Sequence, residues 1–388
     1  MTWHEVTLKQ ICDVDWGNTK LTKSSYVSSG QFLAVSAAGA DGLIDHYEHE
    51  ANVPVLSAIG AQCGRMFYPG ERFTAIKNTI TLTPKENMAD GKFLYYLFTH
   101  VELPQRGAGQ PFISKGDIEA FKVSIPASLE EQRKIVENLD NVFAEVALLE
   151  KNLDLGDEKM SQLLKSILGA SINQSQTNVE QCSPSAKQGF VPKKLGEVVH
   201  LFNGSTPSKT NQSFWVSGDV PWFTVDDLRK QGKYITHTEK HITQLGLKES
   251  SITLIPENAV LLCCTASVGA IAINKIRLTT NQQFNALVVR DPSQLLVEYL
   301  YYWFLANMDL LKSLGRATTI DYISMSKLRE LSLQLPSLQK QYELVAKLDS
   351  AFAEIESLRA QSKLKKEFAI AIRDSQLSNA FTQEKAIA

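Results

Sequence analysis

From residue 128 onward the chain adopts a seven-residue alternation. Apolar side chains fall at Ile135, Leu139, Val142, Val146, Leu149 and Leu153, in steps of four and three, and the series resumes at Met160, Leu164 and Ile167. A spacing of this kind places one apolar seam along a helix. The same pattern returns after residue 337, at Leu344, Leu348, Ala351, Ile355 and Leu358, then at Leu364, Phe368 and Ala371. The two stretches are also alike in wording. QRKIVENLDNVFAEVALL begins at Gln132 and QYELVAKLDSAFAEIESL at Gln341, 209 positions later, with eight of 18 residues identical. Pro126 and Pro336 stop the preceding segments, and Ser128 and Ser337 are the expected N-caps, the first with Glu131 three residues on. Each helix is predicted to run about 40 residues, roughly 60 Å. Two seams in one chain are most simply buried against each other, and a pair of packed core helices is the alternative. Val136 with Phe143, and Val345 with Phe352, form a second stripe beside each seam. A single partner helix would not cover that stripe, so either the globular segments or another protein must.

Ahead of each helix lies a globular stretch, and the two resemble each other at their ends. Residues 8–19 match 195–206 with Leu8/Leu195, Gly17/Gly204 and Thr19/Thr206 aligned, and residues 113–126 match 323–336. Ser114 and Ser324 are expected to cap a short helix followed by a strand ending at the proline. The middles agree only in style, with β-like runs at 79–82 and 286–289 and amphipathic helices near 93–100 and 296–304. Residues 172–192 are polar and rich in Ser, Gln and Asn, as a linker should be. The resulting division is a first lobe over 1–127, a helix over 128–171, the linker over 172–192, a second lobe over 193–336, a helix over 337–381 and a tail over 382–388. Each lobe mixes α and β, so the fold class is α+β.

Composition changes this picture little. Of 388 residues, 44% are hydrophobic and 21% charged, enough for real cores. No apolar run is long enough to span a membrane, and the N-terminus lacks the pattern of a signal peptide. Five cysteines (Cys12, Cys63, Cys182, Cys263 and Cys264), with no Cys-x-x-Cys pair, fit reduced thiols and a cytoplasmic location. A net charge of −2 argues weakly against a nucleic-acid partner without excluding one.

No catalytic signature emerges. The stretch from Gly204 to Lys209 and Thr210 lacks the glycine that a phosphate loop places before its lysine. His46, Glu48, His49 and Glu50 read as a solvated turn rather than metal ligands. Gly109-Gln110-Pro111-Phe112 lacks the groups that would hold a target amino nitrogen. Cys263-Cys264 reads as buried strand. What the lobes do carry is polar and cationic side chains around the aligned glycines. In the first lobe these are Asn18, Thr19, Lys20, Lys23, Gln62, Arg65, Lys77, Asn78, Arg106 and Gln110. In the second they are Ser205, Thr206, Lys209, Asn211, Arg229, Lys230, Lys233, Thr265, Ser267, Asn281, Gln282, Arg316, Thr318, Thr319 and Tyr322. Arg and Lys suit guanine and Asn and Gln suit adenine in the major groove, while Ser, Thr and glycine-rich backbone suit phosphates.

The two lobes ending in FKVSIP and LSLQLP, the helices that open with a glutamine and continue LDxxFAE, the opening KLGEVVHLFNGSTPSK and the segment GQPFIS together resemble the specificity subunits of type I restriction-modification systems. The resemblance covers nearly the whole chain, although the first lobe is shorter and its opening, DWGNTK, less typical. It implies two DNA target recognition domains separated by a long antiparallel two-helix coiled coil with pseudo-twofold symmetry. Each domain would read half of an asymmetric bipartite site in double-stranded DNA, and the helices would set the spacing. Two methyltransferase subunits would dock on the chain, and restriction subunits would join them. S-adenosylmethionine, ATP and Mg would sit on those partners, with no cofactor and no chemistry on this chain. The residues expected to form the coil and partner interface are Ile135, Leu139, Val142, Phe143, Val146, Leu149, Leu344, Leu348, Phe352, Ile355 and Leu358. The competing reading is a two-lobed protein-interaction scaffold without nucleic acid.

Overall fold

The computed structural model describes residues 2–107, 109–173, 190–265, 269–315 and 323–381. It divides into two compact units. One comprises Met1–Asp154 with Ser362–Ala388, the other Leu155–Gln361. Each unit thus takes one lobe and part of each long helix.

In the first unit, β1 (Trp3–Thr7) pairs antiparallel with β9 (Lys122–Pro126) and ties the lobe's ends together. The short helix α1 (Leu8–Ile11) leads into β2 (Cys12–Trp16), which pairs with β8 (Thr79–Pro84). With β5 (Val55–Ser57) and β6 (Met66–Phe67) these form a sheet in the order β2-β8-β5-β6. A second sheet orders β4 (Gly39–Ile44), β3 (Phe32–Ser36) and β7 (Phe73–Ala75), with β3 and β7 parallel. Helix α2 (Gly91–His100) buries Phe93, Leu94 and Leu97 against the first sheet, capped by Asp90. Helix α3 (Lys115–Ala120) is capped by Ser114, whose hydroxyl accepts from the Asp117 amide at 3.1 Å. The long helix α4 (Leu129–Leu168) follows, and the Ser128 hydroxyl accepts from the Glu131 amide at 3.2 Å.

The second unit repeats this plan, interior included. β10 (Phe190–Lys194) pairs with β19 (Ser332–Pro336). After α5 (Leu195–Val198), β11 (Val199–Asn203) joins β18 (Phe284–Val289), β15 (Ala259–Cys263), β16 (Ile271–Asn274) and β13 (Tyr234–Ile235) in the order β11-β18-β15-β16-β13. The second sheet orders β14 (Lys240–Ile242), β12 (Val220–Phe223) and β17 (Thr279–Thr280), and β12 and β17 are again parallel. The middles therefore share more than style, since strand order and direction correspond throughout. Insertions account for the second lobe's greater length: β13 itself, α6 (Val225–Gln231) and α7 (Gln244–Glu249). A further insertion, α9 (Met308–Gly315), follows α8 (Val297–Ala306). Helix α10 (Met325–Glu330), capped by Ser324, precedes β19, and α11 (Leu338–Phe381) closes the chain. The linker expected at 172–192 is bounded differently, because Ile172 is buried in the second core and β10 already begins at Phe190. No described helix is long and apolar enough to cross a membrane.

Four of the eight identical pairs of the repeated helix, Gln132/Gln341, Leu139/Leu348, Asp140/Asp349 and Phe143/Phe352, share a task, which is to seat a lobe. Gln132 is buried, and its Oε1 accepts from the Asp90 amide at 2.9 Å while Nε2 donates to the Pro126 carbonyl at 3.2 Å. Gln341 does the same in the second unit, with the Leu296 amide at 2.8 Å and the Pro336 carbonyl at 3.0 Å. Asp140 accepts from the Tyr96 hydroxyl and from Lys92 at 2.7 Å, and Asp349 accepts from the Tyr302 hydroxyl and Lys233. Burial and then the bond to each aspartate push both tyrosine hydroxyls above their ordinary pKa. Phe143 meets the Tyr96 ring at 5.2 Å and Phe352 the Tyr302 ring at 5.3 Å. Of the residues expected at a helix–helix or partner interface, Leu139 and Leu348 are buried in cores that lobe residues share with the other long helix, and Phe143 and Phe352 meet the lobes' tyrosines. Heptad spacing reports which helix face is apolar and says nothing of what covers it.

Within each unit the helix segments also meet each other, running antiparallel. In the first, Ile135 and Leu139 share a core with Leu377 and Phe381, and Lys366 pairs with Asp154 at 2.8 Å. In the second, Leu168 shares a core with Leu344 and Leu348, and Arg359 donates to the Ser161 hydroxyl at 3.0 Å. Leu149 and Leu358, by contrast, remain exposed, at 40% and 44%.

The glutamine bridges give a first prediction. Gln341→Leu, at similar volume, removes the partner of the Leu296 amide and of two carbonyls, those of Pro336 and Gln294. Unfolding in urea is expected to show a loss on the order of 2–3 kcal/mol. An unchanged midpoint would mean the bridge is idle.

Candidate nucleic-acid interface

Each candidate surface begins at its aligned glycine. A Cβ on Gly17 would lie 2.2 Å from Thr79 Oγ1 and 2.5 Å from the Ile76 carbonyl. On Gly204 it would lie 1.9 Å from the Asn281 carbonyl and 2.3 Å from Thr280 Oγ1. Only glycine lets the strand end lie this close to the neighbouring turn. The backbone confirms the match: Gly17 N–H donates to Thr79 and Gly204 N–H to Phe284, both at 2.9 Å.

From there the same ladder runs through both lobes. The Ala58 amide donates to the Asn78 carbonyl at 2.9 Å and the Ala58 carbonyl accepts from Ile113 at 2.8 Å. In the second lobe the Cys264 amide donates to Gln283 at 2.8 Å and its carbonyl accepts from Ile323 at 3.0 Å. Segments far apart in the chain therefore converge: 17–23, 58–65, 76–78 and 105–113 in one lobe, and 204–209, 264–265 and 280–283 in the other. The left-handed backbone of Asn78, with φ of 73°, makes the turn at 76–78 in lobe one. Burial lifts the Cys12 and Cys264 thiols to about 12, so neither is a thiolate near neutral pH.

In the first lobe Lys23, Gln62, Lys77 and Asn78 line one depression of about 320 Å³, with Thr22 and Ser36 on its wall. Lys23 is held by Asp41, which also accepts from the Tyr26 and Ser36 hydroxyls. Burial opposes ionisation of Asp41, but these three donors outweigh it and hold the carboxyl below its ordinary value. Gln62 accepts from Arg65 at 2.9 Å. Asn18 donates to Glu48 at 2.6 Å and accepts from the Lys20 amide, and Thr19 and Lys20 are exposed beside it. Arg106 pairs with Asp117, whose carboxyl is held low by the Ser114 hydroxyl and then by Arg106. Gln110 is exposed in the same loop. Ser36, Asp41 and Tyr26 escaped sequence reading because they support Lys23 from strands β3 and β4 and the segment before them, and no local pattern links them to it.

In the second lobe Thr206 bonds Gln282 across the Gly204 turn, and Thr265 adjoins the strand ladder through Cys264. Trp222 Nε1 donates to the Ser205 carbonyl at 3.1 Å and Trp215 Nε1 to the Ser208 carbonyl at 3.0 Å, fixing the loop that exposes Lys209. Asn211 caps the next turn, its Oδ1 accepting from the Ser213 amide at 3.2 Å. Three expectations change. Asn281 is buried, and its amide bonds Gln283 to fold the turn, so it offers nothing to a base edge. Lys233 is withdrawn to Asp349 and lies over the rings of Tyr234, Tyr301 and Tyr302, 4.5 Å from the last. Arg229 and Lys230 are exposed on α6 but pair with Asp226 and Glu239. Ser267, Arg316, Thr318, Thr319 and Tyr322 lie outside the described residues.

Geometry of this kind suits a polyanion read by loops on a rigid frame. Comparison with known proteins agrees. The family model described as the type I restriction modification DNA specificity domain matches residues 1–155 and 187–366. The MjaIX specificity subunit of Methanocaldococcus jannaschii is 32% identical over 181 residues, which are 46% of this chain and 41% of that protein. The alignment thus spans less than half the length of that relative. The EcoDI specificity subunit of Escherichia coli is 24% identical over 377 residues, 92% of this chain and 83% of that protein. Among solved structures, a chain described in a study of complex assembly and conformational transition of the type I R-M system superposes with a TM-score of 0.74. It has 17% identity and covers 98% of both chains. At that identity the likeness is one of fold.

Proposed function

Because this chain belongs to the family of type I restriction-modification DNA specificity domains, we propose that it is a specificity subunit whose two lobes each read one half of a bipartite site in double-stranded DNA. The observation that carries this reading is the pair of loop clusters built by the same ladder around Gly17 and Gly204. Their side chains differ, Lys23, Gln62, Lys77 and Asn78 against Thr206, Lys209, Thr265 and Gln282, so the two half-sites differ and the site is not a palindrome.

The long helices are the spacer in this proposal, pairing as an antiparallel coiled coil that sets the distance between half-sites. Two methyltransferase subunits dock on the chain, Leu149 and Leu358 offering them exposed apolar surface. Restriction subunits complete the assembly. S-adenosylmethionine, ATP and Mg belong to those partners, and the chain itself positions the duplex in the cytoplasm.

The test is single-molecule methylation mapping of DNA from cells carrying this chain and its methyltransferase subunit, against cells without the chain. An asymmetric split motif that appears only with the chain is expected. Exchanging residues 1–126 for another lobe is then expected to change one half of that motif and leave the other intact. A palindromic motif would sink the asymmetry of the half-sites, and an assembled complex that methylates nothing would sink the DNA reading and favour the protein-interaction scaffold.

A further inference from the structure

Phe112 is an anomaly in the polar loop cluster of the first lobe. Its residue surface is 38% exposed, although the ring is large and apolar. The backbone around it is fixed on two sides. Phe112 N–H donates to Arg106 and Arg106 N–H donates to Phe112, both at 2.9 Å. On the other flank the Gly60 amide donates to the Pro111 carbonyl at 2.9 Å, and Ile59 and Phe112 form a further bridge. Gly107, with φ of +89°, closes the loop against the ring, and a Cβ there would lie 2.6 Å from the Gln110 carbonyl and 3.4 Å from Phe112 Cδ1. A backbone held this firmly at an exposed apolar residue, with Arg106 and Gln110 nearby in the loop, has little main-chain freedom left to lose on binding. Sequence alignment places another aromatic residue, Tyr322, at the corresponding position of the second lobe.

We propose that Phe112 is a specificity-determining residue that packs against the C5-methyl group of a thymine in the half-site read by the first lobe. This rests on the DNA-reading function proposed above. Thymine presents the one apolar group on the major-groove edge of a base pair, and an aromatic side chain is a fitting contact for it. More than half of the residue's surface is covered, so it offers a partly seated apolar side chain to a groove edge rather than a free wedge to part stacked bases. Polar neighbours can meet the donors and acceptors on either side.

The experiment uses the chain assembled with its methyltransferase subunit and duplexes carrying the mapped site. Each thymine of the first lobe's half is replaced in turn by uracil, which removes only the methyl group. One position is expected to lose about four-fold in affinity, the worth of a single buried methyl-sized group. Phe112→Ala should bind the thymine duplex about as weakly as the wild type binds the uracil duplex, and lose nothing more on replacement. In a second measurement, 5-bromouracil at that position is irradiated with the wild-type complex, and the cross-linked peptide is expected to contain Phe112. The cross-link decides the matter if the variant fails to fold. A flat uracil series, a Phe112→Ala complex that still discriminates, or cross-links elsewhere would overturn the inference, as would a first half-site without thymine. Chain-dependent methylation would persist in all those cases, which separates this failure from failure of the proposed function.

Discussion

Gly204→Ala is expected to abolish methylation of the target site and to lower the stability of the second lobe by about 3 kcal/mol or more. The added methyl would sit 1.9 Å from the Asn281 carbonyl and 2.3 Å from Thr280 Oγ1. Neither can retreat cheaply. Asn281 is buried in a turn closed by its own side chain, and Thr280 is fixed by strand pairing with Phe223. Relief would have to come from the strand end, breaking the Gly204 bond to Phe284 and displacing the loop that carries Thr206 and Lys209. Base reading depends on placing groups within a few tenths of an ångström, so specificity should fail before the lobe unfolds. Gly17→Ala should do the same in the first lobe. Gly116→Ala is the control, since nothing lies within 4 Å of its Cβ position. Thermal melting and methylation of the mapped site together check this, and a Gly204→Ala chain that melts and methylates like the wild type would refute the account of the turn.

The second large effect belongs to the helix that seats each lobe. Leu348→Ala is expected to cost about 3–5 kcal/mol, because the side chain is fully buried and its loss leaves a cavity that a packed core fills poorly. Leu139→Ala should cost nearly as much in the first unit. Leu358→Ala, which removes a side chain that is 44% exposed, should cost well under 1 kcal/mol in the isolated chain. Leu348 and Leu358 occupy one heptad seam, and Leu139 holds the position matching Leu348 in the other. Chemical unfolding curves therefore separate a seam buried mainly between helices, which would make the three costs similar, from one shared with the lobes, which makes them unequal.

Several features are legible in the amino-acid sequence alone. The repeated helix, the Ser128 and Ser337 caps, the lobe frames and the α+β class follow from periodicity, proline stops and capping chemistry, all of them local. So does the glycine pair, because a strand that ends in glycine followed by Asn-Thr or Ser-Thr reads as a tight polar turn. The shared interior of the lobes is not legible there. Strand order is set by pairing between segments far apart in sequence, such as β3 with β7 and β12 with β17, and hydrogen bonds of the main chain leave no mark on side-chain identity.

The candidate site divides along the same line. Sequence alone is sufficient to nominate Lys23, Gln62, Lys77 and Asn78, since residue type and nearness to glycine are written in the chain, and these do line one depression. It does not reveal that Lys233 is drawn onto Asp349 and three tyrosines, or that Asn281 is spent inside its turn. A lysine or asparagine is identical on paper whether its polar atoms face water or a partner folded against it. Only the tertiary structure supplies the partner, and with it the difference between a group free to meet DNA and one already satisfied within the protein.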